Sequence, residues 1–315
     1  MRKILVVLLW WASAAAAFPT KPVKIIVAFP PGGGTDIVAR LVGARLTELW
    51  GQAVVVENRA GASGTIGTEI AARADADGHT LFMATMGNMT ANQHLYPKMA
   101  VDPLRAFAPV TKVVDVHFGF YAYPGLPANN VQELIALAKK RPGEIPYSSS
   151  GPGGAPHLAM ELFKRQAGVD LAHIPYKGSG PGMNDLLGGR VMLTMDSLLQ
   201  ALPHIKAGKL RALAVLGPKR SALLPDVPTV AESGLPGYAL TNWFGLLVPV
   251  SVSKDIVLKI NGDVTKILRE EDIRKKIADM GADVVGNSPE EFGAAMRAES
   301  AQWAEIIKSA NIKAE

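Results

Sequence analysis

The 315-residue sequence contains no cysteine. That excludes a disulfide framework, thiol chemistry and a lipid anchor on a cysteine, and leaves stability to the core. Long runs of one charge are also missing: Lys and Arg are scattered, and the longest basic runs, KKR at 139–141 and RKK at 274–276, are short enough to be solvated helix surface. The formal charge is +5, and it falls by two if Arg2 and Lys3 leave with a leader segment. So mild an excess suits anionic ligands and excludes a nucleic-acid footprint. The histidines, at 79, 94, 117, 157, 173 and 204, form no H-x-x-x-H pair and no pairing with carboxylates, so neither a metal nor another cofactor is expected. The strained G-x-S-x-G elbow of hydrolases is absent, and no Lys-Ser or Lys-Thr follows a glycine run as a nucleotide loop requires.

Among the features present, the first is a three-part leader: Arg2 and Lys3, the apolar ILVVLLWWA, and the small-residue run ASAAAA. Its apolar part is short against the ~20 residues of a spanning helix. It reads as a secretory signal occupying residues 1–17, cleaved after Ala17 to expose Phe18. No later segment is long and apolar enough to span a membrane. The remainder, with 48% hydrophobic residues overall, can build a large core and suggests about two domains of roughly 150 residues each.

The hydrophobic pattern alternates between strand and helix. VKIIVAF reads as a buried strand, and the following helix TDIVARLVGARLTELW carries Val38, Val42, Leu46 and Leu49 at one-face spacing. AVVVENR, a helix around IGTEIAARA and the strand TLFMATM complete a β-α-β-α-β pattern, the signature of a parallel sheet covered by helices. About 120 residues later IPYSSS, GPGGAPHLAMELFKRQAG and DLAHIPY repeat the strand, Gly-loop and helix order, which suggests two α/β lobes of similar design. From Ser253 onward the chain reads as mostly helical.

Three Gly-rich loops stand where strands meet helices: FPPGGGTD at 29–36, GASGTIG at 61–67 and SSSGPGGAPH at 148–157. Glycines there let a ligand approach the backbone, and helix starts offer free N–H groups and partial positive charge. Loops of this kind at strand ends of an α/β sheet converge on the usual ligand position, and a small anion held by amides fits them best. Ser148, Ser149 and Ser150 near His157 leave a hydrolase as an alternative, although no acid is placed to orient the histidine. Binding without turnover is therefore the expected class.

Long stretches of the chain, among them PTKPVKIIVAFPPGGGTDIVARLV, GQAVVVENRAGASGTIGTEIAARADADGHTLFMAT, PYSSSGPGGAPHLAMELF, HIPYKGSGPGMNDLLGGRV and LPDVPTVAESGLPGY, resemble the Bug-type (TctC-type) substrate-binding proteins of tripartite tricarboxylate transporters. The resemblance runs from about Pro19 to the C-terminus. It implies a two-lobed α/β periplasmic binding protein of type II-like design, each lobe a mixed, mainly parallel sheet flanked by helices, with the ligand cleft between them. Residues 18–116 plus 241–315 would form one lobe and 117–240 the other, with crossovers near Val116 to Tyr123 and Tyr238 to Trp243. A small organic carboxylate is the implied ligand, permease subunits in the membrane are the implied partners, and the protein itself would be a periplasmic monomer.

Carried over by motif, the first-lobe site would comprise Phe29, Gly33, Gly34, Thr35, Asp36, Ala62, Ser63, Thr85, Gly87 and Asn88. The second-lobe site would comprise Ser149, Gly151, Gly153, Gly154, His157, Tyr176, Lys177 and Asp196. Trp243 and Phe244 read as a hinge or core pair rather than a ligand wall. A β-branched residue at Gly33 or Gly153 is expected to abolish binding. The residues leave open whether the ligand is aliphatic, aromatic, an amino acid or a tricarboxylate, and whether the protein serves uptake or acts as a sensor or adaptor. Few arginines fall in the loops, which favours capture by amides and water over Arg clamps.

Overall fold

The structure, a computed structural model, describes residues 18–96, 99–310 and 312, so the expected signal segment lies outside the described residues. The buried run VKIIV forms β1 (Val23–Val27), and the expected helix follows as α1 (Gly34–Trp50). Val38, Val42 and Leu46 of α1 are buried as their spacing predicts, whereas Leu49 in its last turn is exposed. Gly51 closes the helix in the left-handed conformation, φ 62°, and its N–H donates to the Thr47 carbonyl. Strand β2 (Val54–Asn58), α2 (Thr65–Ala72) and β3 (Thr80–Thr85) complete the first unit. A π-helical turn at Gly87–Ala91 runs into the short α3 (Asn92–Leu95), and α4 (Pro103–Ala106) leads into β4 (Phe107–Val116).

The second unit holds β5 (Phe118–Ala122), α5 (Val131–Lys140), β6 (Pro146–Ser149), α6 (Ala155–Ala167), β7 (Ala172–Pro175), α7 (Ser179–Leu187), β8 (Leu193–Ser197), α8 (Leu198–Lys206) and β9 (Arg211–Val215). The chain then returns through β10 (Asn242–Pro249), α9 (Lys254–Leu268), α10 (Glu271–Asp279), β11 (Ala282–Val284) and α11 (Pro289–Ala310).

Two sheets result, ordered β11-β4-β10-β3-β1-β2 and β7-β6-β8-β5-β9, which makes the protein a two-lobed α/β molecule. The sheets are mixed, as expected, but the expectation that they are mainly parallel is corrected. The β-α-β units are parallel, β1 with β2 and β3, and β6 with β7 and β8. Strands β4, β5, β9, β10 and β11 pair antiparallel. The reason is the crossing itself: β10 returns from the second lobe and inserts between β3 and β4 running against both.

The crossings are also tighter than expected. Val116 ends β4 in the first sheet and Phe118 begins β5 in the second, so His117 alone makes the first crossing. Its N–H donates to the Gly281 carbonyl (3.2 Å) and its carbonyl accepts from the Leu198 N–H (2.7 Å), one partner on each side. On the return, the Leu240 N–H still donates to the Leu216 carbonyl while Asn242 already pairs with Val116, leaving Thr241 between. The two crossing residues therefore lie side by side. Aromatic pairs fill each lobe, with Trp243 edge-on to Phe292 at 5.0 Å in one and Phe120 edge-on to Phe163 at 5.0 Å in the other.

Candidate ligand site

Helices point their starts at the gap between the sheets, and those starts lack side-chain caps. The N-caps of α1, α6 and α7 are Gly33, Gly154 and Gly178, that of α8 is Ser197, and none makes a side-chain capping hydrogen bond. Away from the gap, α4, α5 and α9 are capped by the side chains of Asp102, Asn130 and Ser253, while α10 starts at Glu270 without a side-chain cap. The first N–H groups of a helix need partners. Four uncapped starts converging on one place make that place a receptor for an acceptor group.

The gap encloses a cavity of about 40 Å³, bounded by Phe29, Gly33, Gly34, Thr35, Thr85 and Phe244 from the first lobe. Phe118, Ser150, Ala155, Pro156, Ser179, Asp196, Ser197 and Asn242 complete its wall. A single water needs roughly 10–15 Å³, so the space accommodates a carboxylate group of a few heavy atoms. Polar atoms face apolar ring walls. Ser197 Oγ and Asn242 Oδ1, on residues 2% and 4% exposed, have no hydrogen-bond partner among the described residues. Unpaired buried polar atoms are costly, so two of them on one cavity wall are matched to something that enters it. Among the described residues the lining carries no Lys, Arg or His, and its one ionisable group is Asp196. Burial drives the Asp196 carboxyl up to about 6, against the bonds it accepts from Ser179 and the Ser197 N–H (2.7 Å).

Of the residues expected at the site, Phe29, Gly33, Gly34, Thr35, Thr85 and Asp196 line the cavity. Several others build its frame. Asp36 is buried and accepts from Arg40 Nε (3.0 Å), Asn58 Nδ2 (2.9 Å) and the Gly32 N–H (3.1 Å), so it shapes the first loop from behind. Burial raises its pKa, but these three partners outweigh that and hold it below the ordinary aspartate value. Ala62 and Ser63 adopt positive φ, 44° and 52°, and the Ser63 carbonyl accepts from Asn92 Nδ2 at 3.1 Å. Asn88 braces Thr85, accepting from its hydroxyl at 2.9 Å.

The glycines of the third loop serve close approach. A Cβ on Gly151 would stand 2.6 Å from Ser63 Oγ and one on Gly153 2.5 Å from Asn92 Oδ1, while one on Gly87 would meet the Gly153 carbonyl oxygen at 3.1 Å. Gly151 and Gly153 also have φ of 111° and 81°, which side chains resist. Across the same seam Tyr96 OH donates to the Pro152 carbonyl at 2.7 Å. His157 Nδ1 accepts from the Gly153 N–H (3.1 Å), and burial, then the neighbouring His173, lowers its pKa to about 4.

Ser149 Oγ pairs with His173 Nε2 at 2.7 Å, so the serine and His157 weighed as a hydrolase pair are not joined. Tyr176 OH donates to Asp185 (2.6 Å) and Lys177 is exposed, both outside the cavity lining. Sequence reasoning missed Phe118, Ala155, Pro156, Ser179, Ser197 and Asn242, weighed Ser150 only for a hydrolase, and assigned Phe244 to a hinge or core pair. Ser179 and Ser197 each stand at a helix start, where the argument from free N–H groups applies equally. Trp243 does behave as a core residue, its Nε1 donating to Glu299 at 2.9 Å, while its neighbour Phe244 turns to the cavity.

Comparison with known proteins gives a consistent result. The family model described as tripartite tricarboxylate transporter family receptor matches residues 38–312. The chain is 36% identical over 301 residues to protein BugT of Bordetella pertussis, covering 95% of this chain and 92% of that one. It superposes on R. palustris Rpa4515 with adipate at a TM-score of 0.92 and 39% identity, over 94% of this chain and 99% of the other. MatC from Rhodopseudomonas palustris with bound malate gives 0.89 and 31%, over 92% of this chain and all of the other.

Proposed function

The chain belongs to the tripartite tricarboxylate transporter receptor family, and from that premise we propose that it is a periplasmic binding protein that closes on a small carboxylate and hands it to membrane permease subunits. The observation that carries the reading is the cluster of uncapped helix starts around a small cavity with two unpartnered polar atoms. Backbone amides of the Gly33–Thr35 turn hold the carboxylate, and the unpartnered Ser197 hydroxyl donates to it from the other side. Relatives solved with adipate and malate support a short aliphatic acid as the first choice of ligand.

In this reading residues 1–17 are a cleaved signal, 18–116 plus 241–315 form the first lobe and 117–240 the second. The protein acts as a monomer, without a cofactor and without turnover. The ligand stabilises the closed form by contacts that only both lobes together supply, with rotation taken up at His117 and Thr241. The test is a thermal-shift screen of residues 18–315 against mono-, di- and tricarboxylates, with calorimetry on each hit. A ligand at 100 times its dissociation constant adds ~2.7 kcal/mol to folding and raises the midpoint. A flat midpoint across the whole panel would overturn the assignment.

A further inference from the structure

The wall of the cavity holds an oddity for a receptor of anions: its one ionisable side chain is itself an acid. Asp196 ends β8 with only 4% of its surface exposed. One of its oxygens accepts from the Ser197 N–H at 2.7 Å, and the residues around it place no Lys, Arg or His on the cavity wall. An entering carboxylate therefore shares about 40 Å³ with a second carboxylate and no cationic side chain. Like charges this close cannot both stay ionised, and paired acids resolve the conflict by holding one proton between them.

We propose that Asp196 makes capture proton-linked: a carboxylate closes into the cavity together with one proton, held between the ligand and Asp196. This rests on the carboxylate reading of the cleft. The titratable groups around Asp196 leave it as the proton's site. From β5, the buried Tyr121 hydroxyl has no hydrogen-bond partner among the described residues, and burial and then Asp196 keep it protonated. From α6, His157 is occupied as an acceptor by the Gly153 N–H. From α1, Asp36 is bound to Arg40 and Asn58 behind the loop. At their cavity ends α7 and α8 present Ser179 and Ser197, with their charged residues, Asp185, His204 and Lys206, farther along. Burial already favours the protonated acid at Asp196 before a ligand arrives.

The sign follows from linkage: where the free protein has lost the proton and the complex keeps it, binding weakens as pH rises, about tenfold per pH unit for one proton. The experiment is calorimetry on the mature protein with adipate and with malate at pH 6.5, 7.5 and 8.5, repeated at pH 8 in phosphate and in Tris. The expected result is a loss of affinity approaching a hundredfold over the range, and a buffer-dependent heat equal to uptake of one proton. Asp196→Asn should bind with an affinity independent of pH. Wild-type affinity that is flat with pH, with no proton taken up, overturns the proposal while leaving the carboxylate reading standing. A slope retained in Asp196→Asn overturns the assignment to this residue. Absence of binding by every carboxylate at every pH overturns both.

Discussion

At the level of single residues, the loop that the sequence marks most strongly works through two glycines in different ways. A Cβ on Gly33 meets only the Pro30 carbonyl oxygen, at 4.0 Å, whereas one on Gly34 would stand 2.9 Å from Ser197 Oγ across the cleft and 3.3 Å from the Phe244 ring. The steric requirement expected at Gly33 therefore belongs to Gly34 and to Gly153, a distinction that only the neighbour from the other lobe supplies. Gly34→Ala should weaken carboxylate binding at least tenfold by calorimetry while leaving the ligand-free melting midpoint unchanged or raised, since alanine is the better helix residue by ~1 kcal/mol. His157 gives a prediction in pH. Its folded pKa, about 4, lies below the ordinary 6.5, so the contribution of this group to stability is full above pH 6.5 and is lost as pH falls from there toward 4, while Asp196, raised to about 6, contributes with the opposite sign. The loss should reach about 3 kcal/mol, and chemical denaturation of His157→Gln should show a correspondingly shallower acid limb.

Among the elements, the helices divide by what satisfies their first turns. Ser253 caps α9 far from the cleft, so Ser253→Ala should cost about 1 kcal/mol in denaturant unfolding and leave ligand affinity alone. Gly33→Asp should do the reverse. The position has room for a Cβ and the extended N-cap conformation, φ −80° and ψ 163°, so an aspartate can cap α1 and stabilise it by up to ~1 kcal/mol, but its carboxylate takes the place meant for the ligand. Calorimetry should then detect no binding to a protein that melts higher. These cleft-facing helices were the legible part of the fold, because a strand, a Gly-rich loop and an apolar 3.6-residue period occur within one local window. Strands β5 and β10 were not. FGFYA and NWFGLLVP are buried at every position, so no alternation marks them as strands, and their partners lie far away in the chain. The same distance hid Asn242 and Phe244, which reach the cavity only because β10 is drawn between β3 and β4.

For the whole molecule, closure is a matter of which contacts cross the seam. Tyr96 OH donates to the Pro152 carbonyl only when the lobes meet, so Tyr96→Phe removes a bond of the closed form. A net hydrogen bond is worth about 1 kcal/mol, which corresponds to roughly fivefold weaker binding with an unchanged ligand-free midpoint. Small-angle scattering should show the radius of gyration shrinking on ligand addition in both proteins. One further consequence lies in the order of the first sheet, β11-β4-β10-β3-β1-β2, where a strand made from residues 242–249 sits between two made from residues before 117. A ribosome delivers β3 and β4 long before the strand that joins them. Until some 125 later residues have emerged, both carry bare edges able to pair with the wrong neighbour, so the nascent lobe depends on a holding factor or on delayed folding, while the intervening second lobe can assemble uninterrupted.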